Sequence, residues 1–351
     1  MIEPKYKLTE ETIHVNGRTL HRVEALKDFG DVKKGIKGGY VESESNLSQN
    51  GDCWVSDDAK VYGDAIVCDN AKIYGEADVY GNAIVCDNAQ VYDNAQVYGK
   101  AQVCGKAEVY NDAKVYDNAE VYSKAMVYNR AEVHGDALVC GNAEVCGFAM
   151  VCDNAEVYGD AWVYGYAKVY GDIKVYGNAE VYGDAQVYEY GEVFDNAMVF
   201  GCAEVYGSAV VCGNARVHGD AWVYGHAEVY GNAEIYGCAN IYGDTEVYEW
   251  AMVYGSAKVY GNAQVYDDAK VYDKAEVCGN AKVYDKAEVC GNAKVYGSAE
   301  VYDNAKVYDD AKVYDDAEVY GSAEVYDDAE VYGNAKVYDY TEVCDDTKIC
   351  E

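Results

Sequence analysis

A six-residue period constrains this chain more than any other feature. It runs without insertion or deletion from Ala59 to the end of the sequence. The unit reads A-x-V-Y-[GD]-[ND] and occurs 49 times. The Val position departs from Val only at Ile73, Ile235, Ile241 and Ile349, and the Ala position only at Ile173, Gly191, Thr245, Thr341 and Thr347. A degenerate unit at residues 53–58 leads in. A period of six matches neither helical nor heptad spacing, and glycine this frequent would weaken a helix. In a strand, alternate side chains face opposite sides, so Ala and Val share one face while x and Tyr share the other. The last two positions hold residues that tolerate tight or left-handed backbone. The x position is rich in Lys, Glu and Gln, which are not buried unpaired, so Ala and Val must point inward.

Each unit is therefore one short strand and one corner. The core is a thin column of Val and Ala, in which each buried Val contributes roughly 1.5–3 kcal/mol at most. Stability then comes from repetition, with backbone hydrogen bonds running from coil to coil. Such a solenoid grows in one dimension, so 351 residues do not imply several globular domains.

An aliphatic residue followed four positions later by a small one, as in Val61 and Ala65, resembles the hexapeptide-repeat proteins over residues 53–351. That resemblance implies an all-β fold, a single-stranded left-handed parallel β-helix with three units, or 18 residues, per triangular coil. The 49 units would make about 16 coils. A right-handed or two-sided solenoid is the alternative.

Residues 1–52 lack the repeat and are read as an N-terminal cap. Residues 13–20 read as a β-hairpin with Asn16-Gly17 as its two-residue turn, placed to cover the first coil's open edge. The segments Asp28-Phe29-Gly30-Asp31-Val32, Gly38-Gly39-Tyr40-Val41, Asn46-Leu47-Ser48 and Gly51-Asp52-Cys53-Trp54 resemble the N-terminus of bacterial YdcK-type proteins. That family is described as acyltransferases by fold analogy, and fold alone does not carry an activity.

The net charge is −34. Residues 1–58 hold 8 basic and 11 acidic side chains, and residues 59–351 hold 20 and 51. A surface this acidic repels nucleic acid and anionic lipid and favours solubility, cations or basic partners. The start is polar, with no apolar signal segment, and no stretch is long enough to span a bilayer. The fourteen cysteines accordingly read as reduced thiols in a cytoplasmic protein.

Few residues interrupt the repeat with chemistry of their own. His134 and His218 replace Tyr, His226 sits at a corner, and no loop breaks the repeat to build a site around a catalytic base. Eleven cysteines also replace Tyr, and Cys68, Cys86 and Cys104 stack on one outer face of an 18-residue coil. Without a CxxC motif or a His partner they read as drift from Tyr, and no cofactor is expected. Asp309, Asp310, Asp327, Asp328, Asp345 and Asp346 should stack at one corner, as a solvated edge or as oxygen ligands for a divalent cation such as Ca²⁺. The 34 Tyr in the Tyr position of the repeat form outward columns.

The outward positions turn apolar mainly between residues 126 and 252. Phe148 and Tyr166 should stack at one corner, flanked by Met150 and Trp162, with Trp222 further along. Exposed apolar clusters of this kind mark interfaces.

Three functions remain. The residues favour a non-catalytic structural or interaction rod that self-associates, forms polymers or binds a protein partner. The chain ends mid-unit at Cys350-Glu351, and an open coil edge there would pair with another chain. The family resemblance implies instead an acyltransferase-like enzyme. The Tyr columns suit a carbohydrate- or surface-binding module.

Overall fold

A computed structural model of the chain describes residues 3–351. It is an all-β parallel solenoid preceded by antiparallel strands, with one 3₁₀ turn at Glu44–Asn46 and no α-helix among the described residues. The chain divides into two compact units, Met1–Asp172 and Ile173–Glu351.

In the first unit, β1 (Tyr6–Val15) and β2 (Arg18–Ala25) form the expected hairpin, with Val15 opposite Arg18. Asn16 and Gly17 hold φ at 51° and 77°, the left-handed backbone that a two-residue turn demands. Strand β3 (Lys37–Val41) pairs antiparallel with β2 on one side. On its other side it pairs parallel with β5 (Lys60–Val61), after the two-residue strand β4 (Trp54–Val55). The hairpin is thus continuous with the first face of the solenoid.

Stacking begins before the regular repeat. Tyr40 lies beside Lys60, Leu47 bridges to Val67, and Trp54 lies beside Lys72. These residues complete an irregular first turn, and the two units together carry about 17 turns, one more than the period alone implies. The extra length of this turn is plugged by Lys5. Its buried ammonium donates to the carbonyls of Gly51 (3.2 Å) and Cys53 (2.9 Å) and lies 5.0 Å from the Phe29 ring centroid. A buried cation needs such a cage.

From β5 onward each strand is an x-Val pair. Lys60–Val61, Asp78–Val79 and Gln96–Val97 stack on the first face. Ile66–Val67 and Ile84–Val85 stack on the second, and Lys72–Ile73 and Gln90–Val91 on the third. The register step is 18 residues, and three faces rule out the two-sided alternative. Ala and Val are fully buried turn after turn. Each x amide donates to the Ala carbonyl one turn on (Lys60 to Ala77, 2.9 Å), and each Tyr amide to the Val carbonyl (Tyr62 to Val79, 3.0 Å). The second unit, Ile173–Glu351, repeats this scheme, as in Trp222–Gly225 beside Asn240–Gly243.

The corners explain the Gly/Asp choice. The first corner residue has positive φ, 71° at Gly63 and 58° at Asp69. Gly tolerates this freely, whereas other residues pay about 1 kcal/mol or more unless a side chain bonds locally. Asp adds a bond to the next turn instead: the Asp57, Asp87 and Asp303 carboxylates each accept the amide of the Gly one turn on at 3.0 Å.

Candidate functional site: an exposed aromatic corner

Most outward side chains spend their chemistry on the next turn. Tyr rings stack face to face, as in Tyr74 on Tyr92 (4.7 Å, 2°) and Tyr236 on Tyr254 (4.7 Å, 1°). Their hydroxyls donate to the Glu one strand over, Tyr92 to Glu108 at 2.9 Å and Tyr128 to Glu144 at 2.8 Å. Lys114 pairs with Glu132 at 2.9 Å, and the Asn196 amide donates to Asn214 at 3.1 Å. Burial within the stack and neighbouring carboxylates raise the pKa of Tyr92, and push that of Tyr62 up to about 12.

The aromatic corner of the first unit departs from this pattern. Phe148 and Tyr166 stack with ring centroids 4.8 Å apart and planes 6° from parallel. Both are largely exposed, 47% and 59%, and Trp162 beside them is 46% exposed. Trp162 lies next to Glu144 in the third face and meets Tyr164 edge-on at 6.2 Å. Met150, half-buried, lies between Glu132 and Lys168 in the first face. The 18-residue spacing stacks Phe148 on Tyr166, with Met150 and Trp162 on the two adjoining faces. Sequence reasoning passed over Arg130, one turn before Phe148. Its guanidinium lies 5.3 Å from the Phe148 centroid and its Nε 3.7 Å from Asp112. A shallow groove of about 790 Å³ follows the same corner from Gly75 to Phe148. Trp222 is a separate exposed aromatic in the second unit, between Glu204 and Asn240.

A second recess of about 810 Å³ lies in the first unit, between the loop around Gly30–Ile36 and the third face. Trp54, Lys72 and Tyr74 line it. Its cations are paired, Lys72 with Asp31 at 2.8 Å and Lys33 with Asp28 at 3.2 Å. These contacts hold the Asp31 and Asp28 carboxyls below their usual range, Asp28 chiefly through the Lys34 backbone amide.

The YdcK β-solenoid repeat family matches residues 89–105 and 209–225. The curated protein named "Uncharacterized acetyltransferase YdcK", from Escherichia coli (strain K12), is 36% identical over 61 residues, 15% of this chain. The chain is a repeat β-solenoid resembling YdcK. The match covers only 19% of that relative's length.

The remaining sequence candidates fit the same YdcK-like frame. Asp309, Asp310, Asp327, Asp328, Asp345 and Asp346 fill both positions of one corner in successive turns, but they make ladder contacts. The Asn292 amide donates to Asp310 at 3.0 Å, and the Asp345 backbone amide to Asp327 at 3.4 Å. Among the described residues, three metal-type ligand atoms converge at Cys86, Asp87 and Cys104 and not at this corner. His134 stacks on Tyr116 at 4.7 Å, and His218 stacks between Phe200 and Tyr236 while meeting Glu234 at 3.2 Å. Both take over the Tyr role in the ladder. Among the described residues no helix is long and apolar enough to cross a membrane.

Proposed function

We propose that this chain is a non-catalytic interaction scaffold that associates with a second copy of itself through the Phe148–Tyr166 corner and Trp162. The supporting observation is the contrast between that corner and the ladders around it. Most ladder rings are covered turn to turn, whereas Phe148, Trp162 and Tyr166 expose large apolar surfaces to water, as Tyr190, Trp222 and Trp250 do in the second unit, and such surfaces mark interaction patches. The choice of a second copy rests on charge. Two chains of net charge −34 repel, and the contact is least costly where outward carboxylates give way to Met126, Met150 and Trp162. We place the protein in the cytoplasm, where its thiols stay reduced.

The acyltransferase reading rests on the relative's printed name and the recess beside Trp54. An acyl-CoA phosphate needs free basic charge, and Lys33 and Lys72 are already paired. The sugar-binding reading needs open ring faces, and the Tyr ladders cover theirs with one another.

Two measurements test the proposal. Calorimetry with acetyl-CoA is expected to give no binding heat; saturable binding near the Trp54 recess would favour the enzyme. Light scattering is expected to show molar mass rising with concentration; a constant monomer mass would remove the scaffold reading.

A further inference from the structure

Cysteine fills the outward Tyr position in three successive turns at one place only, Cys68, Cys86 and Cys104 on the second face. There the aromatic ladder is replaced by a column of sulfur. The Cys86 and Cys104 Sγ atoms lie 2.8 Å apart. Asp87, at the adjoining corner, brings a carboxylate oxygen 4.0 Å from Cys86 Sγ. One ligand atom from each of the three residues lies within 4.8 Å of the others. The Gly105 amide holds the Asp87 oxygen in place at 3.0 Å. Asp87, Gln102, Cys104, Glu120 and Tyr122 line a shallow groove of about 380 Å³, so the cluster is reached from solvent.

We propose that Cys86, Cys104 and Asp87 form a binding site for a thiophilic divalent cation of the Zn²⁺ or Cd²⁺ class. Two thiolates and a carboxylate suit such an ion, and the groove leaves a fourth position open to solvent. Metal–sulfur bonds of about 2.3 Å with tetrahedral angles put two sulfurs about 3.8 Å apart. The Cys86–Cys104 gap must therefore widen by about 1 Å, which side-chain rotation at two solvent-facing positions provides. On binding, two S–H bonds break, two metal–sulfur bonds form, and two protons pass to solvent. Affinity must then rise with pH.

The test is a titration of the full, reduced chain with Cd²⁺ alone, followed by sulfur-to-metal charge-transfer absorbance and by proton release. A first step saturating at one equivalent and releasing two protons is expected. Cys86→Ser and Cys104→Ser should each abolish that step, and Asp87→Asn should weaken it about tenfold or more. Cys140→Ser and Cys212→Ser should leave it intact, because those cysteines occupy the same outward position between aromatic neighbours. Far-ultraviolet circular dichroism unchanged in each variant shows that the loss is local. The proposal fails if no tight step is seen, if the step survives loss of Cys86 or Cys104, or if Cys212→Ser removes it equally. It also fails if Cys86 and Cys104 are joined in a disulfide that re-forms in air and excludes the cation.

Discussion

Ile173 and Gly191 occupy the same inward position one turn apart, and one is enlarged where the other is reduced. A Cβ at Gly191 would lie 3.1 Å from Ile173 Cδ1 and 3.0 Å from the Ala209 carbonyl. Both residues depart from the Ala rule, and the structure makes them one compensated pair. Ile173→Ala alone should leave a cavity and cost about 2–4 kcal/mol. Gly191→Ala alone should overpack and cost about 1–3 kcal/mol. The double variant restores the consensus, so its cost should fall short of the two combined by about 1 kcal/mol or more. Denaturant unfolding of the three variants checks this; strict additivity would show that the residues are not coupled.

The corner aspartates give a sharper contrast. Asp303 has φ of 59° and accepts the Gly321 amide at 3.0 Å. Asp303→Ala keeps the strained backbone and loses the bond, so it should cost about 1–2 kcal/mol. Asp303→Gly loses the bond but relieves the strain, and should cost less. Thermal melting orders the two; an Ala variant as stable as the Gly variant would contradict the role given to the carboxylate.

The Tyr ladders predict the alkaline limit. An unfolded tyrosine releases its proton near pH 10, while the folded Tyr62 holds it to about 12, chiefly through burial. Tyr74, Tyr80 and Tyr98 are raised in the same direction. Across that window the unfolded chain binds fewer protons, so stability present below pH 10 is lost as pH rises toward the folded value. Tyrosinate absorbance should therefore lag behind free tyrosine and then rise together with loss of the β-sheet circular dichroism. A titration at the free-tyrosine pH with structure intact would count against the ladders.

How far the sequence reached depended on whether a residue obeys the period. Val61, Ala65 and their successors had to face inward because Lys and Glu could not, and Asn16-Gly17 named its own turn. The first turn was not legible, since Tyr40, Leu47 and Trp54 stack without the hexad pattern. Lys5 was hidden for a different reason: a lysine in a polar terminus reads as solvated, and only the fold supplies the carbonyls that cage it. At the candidate site, the 18-residue step was enough to join Phe148 to Tyr166. It could not show that Arg130 lies against Phe148 or that two sulfurs approach to 2.8 Å, because both depend on side-chain rotamers.

The most direct test of the scaffold proposal is sedimentation equilibrium at low and high salt, on the native chain and on a Phe148→Ser, Tyr166→Ser variant. Salt screens the repulsion between like-charged chains and leaves an apolar contact intact. The native chain should therefore associate more strongly as salt rises, and the double variant should stay monomeric throughout. Association that weakens with salt, or that persists unchanged in the variant, would contradict a self-contact through this corner.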